Sequence, residues 1–219
     1  MLLVLIGITA AVPQSAEDWL GVGKTLSNQS RYDEAIQAYQ NAIDLNPKYE
    51  EAWYNKGLSL YYLLKYDEAI EAFNEVITLN PNLSEARNSK GVALSDQRNY
   101  EDAIVAYDKA IELKPDYAEA WNNKGNAFRR MEKYEEAIHA YDRAIELDPK
   151  YANPWNGKGN ALLLEGKYDE ALLEYNRAIE INPNIGYLWT GKGNALKLMN
   201  RLSKAETAYA KARELGAPT

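Results

Sequence analysis

Tryptophan marks this chain at a fixed step. Trp19, Trp53, Trp121, Trp155 and Trp189 stand on a ladder with a spacing of 34 residues, and Arg87 occupies the remaining rung. The same step carries Gly23, Gly57, Gly91, Gly125, Gly159 and Gly193, then Ala35, Ala69, Ala103, Ala137, Ala171 and Ala205, then Tyr39, Phe73, Tyr107, Tyr141, Tyr175 and Tyr209. Pro47, Pro81, Pro115, Pro149 and Pro183 close the first five units. A period of this length belongs to chains built from small supersecondary units, each unable to bury its own apolar face and stable only when stacked on its neighbours. With Ala16 as position one, the units run 16–49, 50–83, 84–117, 118–151, 152–185 and 186–219, without insertion or deletion.

Inside a unit the apolar spacing is helical twice over. Residues 118–131 place Trp121, Gly125 and Phe128 on one face, and residues 134–147 do the same with Ala137, Ile138, Tyr141, Ala144 and Ile145. Each unit therefore reads as a helical hairpin. The second helix opens on acids (Asp33 and Glu34, Asp67 and Glu68, Glu101 and Asp102, Glu135 and Glu136, Asp169 and Glu170), where negative charge suits the free amides and the helix dipole. It stops before proline, whose ring disfavours helix in its predecessor. The glycine and alanines let two helices approach, and the large rings fill what remains. The seventeen tyrosines and five tryptophans, against two phenylalanines, are thus a product of the repeat.

Trp at position four, Gly at eight, an aromatic or Leu at eleven, Ala at twenty, an aromatic at twenty-four, Ala at twenty-seven and Pro at thirty-two together resemble the tetratricopeptide repeat, over residues 16–219. Arg87 for tryptophan, Val76 for alanine and Ala217 with Pro218 one place late are the departures. The resemblance implies an all-α, right-handed superhelical solenoid of six helix-turn-helix units and a non-enzymatic scaffold that binds a protein or peptide. It also implies that first helices line a concave groove through positions two, five, six, nine, twelve and thirteen. Transferred by position, the groove residues are Glu51, Tyr54, Tyr61, Glu85, Asn88, Glu119, Asn122, Asn123, Asn126, Arg129, Arg130, Asn156, Asn160 and Asn194. An asparagine ladder can bond an extended peptide backbone, because each amide both donates and accepts. The Lys and Asn set of relatives that clamp a carboxylate is missing from every three successive units, and position two is mostly glutamate.

Other functions find little footing. Net charge is −7 with both signs mixed along the chain, so nucleic acid is not an expected partner. Without cysteine there are no disulfides, thiolate zinc sites or cysteine nucleophiles. His139 has no second imidazole with which to share a metal and falls at position 22, on the outer face. Gly21, Gly23, Lys24 and Thr25 mimic the end of a phosphate loop, yet Asp18 stands where its first glycine belongs and no strand precedes it. The recurring acid pairs are dipole partners, so no catalytic residue and no cofactor is expected. Lys56, Lys90, Lys124, Lys158 and Lys192 at position seven depart from the family's apolar choice, and in four units a tryptophan lies one turn earlier. The lysine stem is expected to pack along the indole, with its ammonium reaching solvent or a carboxylate.

The two ends differ. Positions 21 and 28 are Ile or Leu through five units but Glu206 and Arg213 in the sixth, a polar outer face that predicts a terminal cap, followed by a fraying tail over 216–219. Residues 1–15 form an apolar segment too short to span a bilayer. It reads as a signal peptide or membrane tether, or as a cover for the first repeat. Export or membrane association follows from the first reading, with Asn28 and Asn82 as glycosylation sequons, and a cytoplasmic location from the second. Self-association through this segment or the array ends is the second functional expectation.

Overall fold

The structure, a computed structural model, describes residues 14–218; the apolar amino-terminal segment lies outside them except for Gln14 and Ser15. Every regular element among the described residues is a helix. The first helices of the repeats are α1 (Ala16–Asn28), α3 (Glu50–Tyr62), α5 (Ser84–Asp96), α7 (Ala118–Arg130), α9 (Ala152–Leu164) and α11 (Gly186–Leu198). The second helices are α2 (Tyr32–Leu45), α4 (Tyr66–Leu79), α6 (Tyr100–Leu113), α8 (Tyr134–Leu147), α10 (Tyr168–Ile181) and α12 (Leu202–Glu214). Six hairpins thus follow the expected units. The chain divides into two compact parts, one ending at Pro81 and one beginning at Asn82, and each is described by itself.

The position-8 glycine makes each hairpin possible. A methyl group on Gly57 would lie 2.7 Å from Phe73 Cε1, and one on Gly125 the same distance from Tyr141 Cε1. The ring of the second helix thus fills the place where any other residue would carry a side chain. Tyr39, Phe73, Tyr107, Tyr141 and Tyr175 are all buried, a burial worth on the order of 2 to 3 kcal/mol for a ring such as Phe73. Tyr141 and Tyr175 are also held from the next repeat, because a Cβ on Gly157 or Gly191 would come within 2.5 Å of the respective ring.

The loops have their own rule. Position 15, between the two helices, is left-handed in every repeat: Ser30, Leu64, Arg98, Glu132 and Asn200 have φ between 57° and 66°, and Gly166 has φ 79°. Between repeats, the indole N–H of Trp53, Trp155 and Trp189 donates to the carbonyl of Pro47, Pro149 and Pro183 at 3.0, 3.2 and 2.9 Å. These three tryptophans therefore tie their proline turns to the helices that follow. Trp121 departs from this pattern, its Nε1 being buried without a partner. At the start of α1, Ser15 and Asp18 form a capping box. The residue that argued against a phosphate loop thus serves helix initiation.

Within each part, first helices of consecutive repeats touch: α1 with α3, and α5 with α7, α7 with α9, α9 with α11. Second helices touch only first helices. The first-helix side is the more tightly packed, so it forms the inner face of each stack.

Three of the four position-seven lysines that follow a tryptophan make the expected contact with it. Lys56, Lys124 and Lys192 hold their ammonium 5.0, 5.2 and 5.3 Å from the ring of Trp53, Trp121 and Trp189. Lys56 also donates to Gln40 at 2.7 Å, Lys124 to Asp108 at 2.6 Å, and Lys158 pairs with Asp142 at 2.7 Å, so these side chains link one repeat to the second helix before it. In the sixth repeat Glu206 and Arg213 are exposed and paired at 2.5 Å. The tail departs from expectation, because Gly216 takes a left-handed conformation and Ala217 N–H returns to Ala212 O at 2.9 Å. The Pro218 carbonyl then accepts from Thr190 Oγ1 at 3.1 Å, so residues 216–218 are bonded to α12 and α11 where fraying was expected.

Candidate interaction surface

The expected groove residues fall in both parts. Glu51, Tyr54 and Tyr61 belong to the first. There Glu51 pairs with Lys24 at 2.5 Å, Tyr54 tilts onto Phe73 at 5.8 Å, and Tyr61 meets Tyr62 and Tyr66 at 5.8 and 5.7 Å. Tyr62 in turn stacks on Tyr32 at 5.0 Å. The remaining residues, Glu85 to Asn194, belong to the second part.

Two of those asparagines are turned inward. Asn88 and Asn122 are buried. Asn123 Nδ2 donates to Asn88 Oδ1 at 3.1 Å, Asn88 Nδ2 donates to Glu119 Oε1 at 3.3 Å, and Asn122 Nδ2 donates to Asn123 Oδ1 at 3.3 Å. This network joins repeats three and four. Glu85 is drawn into contact with Ser84 at 2.9 Å and Lys114 at 3.4 Å.

The asparagines of position nine are organised differently. Tyr141 Oη donates to Asn126 Oδ1, Tyr175 Oη to Asn160 Oδ1 and Tyr209 Oη to Asn194 Oδ1, each at 2.8 Å. With its carbonyl oxygen held by a tyrosine of the second helix, each amide has a fixed orientation and keeps two Nδ2 donors for other partners. Three such donors recur at one position of three consecutive first helices, on the inner face of the four-repeat stack. The tyrosine hydroxyl had no assigned role in the sequence reading beyond filling the core. The pairing is confined to repeats four to six: the repeat with Phe73 carries Leu58 at position nine, but Tyr39 and Tyr107 stand in repeats whose position nine is Lys24 and Val92.

Arg129 lies among these pairs. Burial pushes the Tyr141 and Tyr175 hydroxyls above their ordinary value, and the Arg129 guanidinium pulls both the other way. Its own Nε is buried with no acceptor. Arg130 beside it is exposed, and Asn156 is half-buried. Among the described residues no group of His, Cys, Asp and Glu is arranged to hold a metal ion, and no helix is long and apolar enough to cross a membrane.

Stacked helical hairpins with a polar inner face define a helical-repeat protein. The family description "Tetratricopeptide repeat" matches residues 50–83, 118–151 and 152–185, and "TPR repeat" matches 23–63 and 96–131. The chain belongs to the tetratricopeptide repeat family, whose members bind protein or peptide partners. No curated protein matches it in sequence. Among solved structures it is similar to MamA, at 26% identity and a TM-score of 0.67, over 74% of this chain and 95% of that one. It is also similar to PilW, a type IV pilus biogenesis factor, at 19% identity and a TM-score of 0.81, over 93% of this chain and 94% of that one. YrrB, described as a TPR protein with an unusual peptide-binding site, shares 21% identity with a TM-score of 0.61, over 77% and 87% of the two chains. The last two likenesses concern fold alone.

Proposed function

We propose that the chain is a non-enzymatic scaffold that holds an extended segment of a partner protein along the first helices of repeats four to six. The observation that carries this reading is the row of asparagine amides, Asn126, Asn160 and Asn194, each fixed by a tyrosine hydroxyl at 2.8 Å. A side chain already held in one orientation loses little entropy on binding, so its donor is worth more to a ligand than that of a free asparagine. Donors repeated along a row suit the carbonyls of an extended backbone, which recur whatever the side chains. Arg129, whose guanidinium acts on the Tyr141 and Tyr175 hydroxyls, supplies a positive charge at the same place for a carboxylate or carbonyl of the partner. Asn123, Asn156 and Arg130 border this row, and Glu51, Tyr54 and Tyr61 offer a separate acidic and aromatic surface in the first part.

The test copies a pair that the protein already contains. Replacing Asn126 and Tyr141 by Leu and Phe reproduces Leu58 and Phe73, removing donor and acceptor together, which is close to neutral for stability. Peptides selected from a random phage-displayed library on the wild-type chain should bind this double variant about 5-fold or more weakly, the equivalent of one or two lost hydrogen bonds. Arg129→Met should weaken the same peptides. Selection that yields no peptide, or peptides that bind all variants equally, would remove the reading.

A further inference from the structure

A second kind of cavity repeats along the chain, on the opposite side of the first helices from the inner face. Positions 4, 7 and 11 lie about half a turn round the helix from positions 2, 5, 6, 9, 12 and 13, at roughly 100° per residue. In the fourth repeat this cavity measures about 420 Å³ and is walled by Trp121, Lys124 and Phe128 with Glu135, Glu136 and His139 of the second helix. In the sixth repeat the same positions enclose about 350 Å³. Its apolar wall is Trp189, Leu196 and Leu172, and its charged wall is Lys192, Arg201 and Lys204.

The two cavities share repeat positions and differ in sign. In the fourth repeat the position-seven ammonium is neutralised by Asp108 at 2.6 Å, with two more glutamates on the wall. In the fifth, Lys158 is held by Asp142 at 2.7 Å and Glu174 at 3.2 Å. In the sixth, each of these acids is replaced: Asn176 stands where Asp108 and Asp142 stood, Ala208 where Glu174 stood, and Ser203 and Lys204 where Glu135 and Glu136 stood. Lys192 consequently has the Trp189 ring at 5.3 Å but no carboxylate among the described residues, and its burial lowers its pKa. Arg201 reaches only Asp169, at 3.4 Å and in the open, a pair of little strength. A half-buried cation without a counter-ion, beside two more cations and an indole, is an arrangement that an anion with an apolar body would complete.

We propose that this cavity is a second binding site, separate from the inner face, for the free carboxy-terminal residue of a protein with an apolar side chain. The carboxylate meets Lys192, with Lys204 and Arg201 around it, while the side chain lies on Trp189, Leu172 and Leu196. Asn176 and Thr207 at the edge offer partners to the peptide amide, a group that a fatty acid lacks. A volume of about 350 Å³ suits one residue and falls short of a long acyl chain.

N-acetyl-L-leucine is the probe, titrated into the ¹⁵N-labelled full chain. It should shift the Trp189 indole and the Lys192, Lys204 and Thr207 amides with a dissociation constant of about 1 mM, in line with a ligand of its size. N-acetyl-leucinamide, without the charge, should bind about 10-fold more weakly. Asn176→Asp restores the acid that repeats three and four supply to Lys124 and Lys158, so it should keep the fold and weaken binding by about 10-fold; Lys192→Met, which keeps the stem on the indole, should do the same. Four results would overturn the proposal: no shift at these residues, equal binding of the leucinamide, equal shifts with inorganic phosphate, or tighter binding of hexanoate. The first two exclude a carboxylate site, the third makes the apolar wall irrelevant, and the fourth assigns the cavity to a fatty acid.

Discussion

Gly21 and Gly157 occupy the same position of the repeat, position six, and should respond to the same substitution with opposite sign. Both sit inside a helix, α1 and α9, where alanine is favoured over glycine by about 1 kcal/mol. At Gly21 nothing among the described residues comes within 4 Å of an added Cβ, so Gly21→Ala should gain about that amount. At Gly157 the same atom would sit 2.5 Å from Tyr141 Cε1, 2.6 Å from Cζ and 3.0 Å from the hydroxyl oxygen. The ring has little room to retreat, because it also lies against Gly125, where an added Cβ would be 2.7 Å from the same Cε1. Relief requires the two repeats to part by about 1 Å, at a cost that outweighs the propensity gain and leaves a net loss of about 1 to 3 kcal/mol. Urea unfolding followed by circular dichroism should move the midpoint up for Gly21→Ala and down for Gly157→Ala, with amide exchange assigning each change to its own helix. Shifts of the same sign, or a Gly157→Ala midpoint equal to wild type, would refute the claim that the ring is held against the glycines of two repeats.

Leu64 is left-handed at φ 60° and exposed, so Leu64→Gly should raise the unfolding free energy read from urea titration by about 0.5 to 1 kcal/mol, the left-handed penalty less the entropy of glycine; a lower midpoint would sink this. Burial raises the Tyr175 pKa, so the folded chain keeps this proton after the unfolded chain begins to lose it near pH 10. Its stabilising effect is complete below that pH and falls above it by about 1.4 kcal/mol per pH unit. The stabilities of wild type and Tyr175→Phe, measured by urea unfolding from pH 8 to 11, should therefore converge above pH 10; parallel curves would contradict this.

The helices were legible because the period fixes them. Once Trp121, Gly125 and Tyr141 are seen to recur every 34 residues, the hairpin and its close approach follow from size alone. The position-15 turn was not legible, since Ser30, Leu64, Arg98, Glu132 and Asn200 share a backbone conformation and no chemistry. At the candidate surface the asparagines stood out by type, but type does not say which way an amide faces. Asn88 is buried in a network whose other members, Tyr117, Glu119 and Asn123, lie 29, 31 and 35 residues away, and only the packing of helices brings those groups together; buried Asn122 joins it through its neighbour Asn123. The bonded tail was not legible for a similar reason: the partner of Pro218, Thr190, lies 28 residues upstream.

The Tyr141 ring has a bearing on how such chains can be rearranged. Its hydroxyl answers to Asn126 in its own repeat, and its face requires Gly157 in the next. Tyr175 has the same two dependencies, on Asn160 and Gly191. A hairpin cut out at its loops would thus leave behind one of the residues its ring was shaped to meet. Shuffling or duplication that preserves the core should have its seams inside the first helix, beyond the sixth position, where the exchanged piece carries its own glycine along with it.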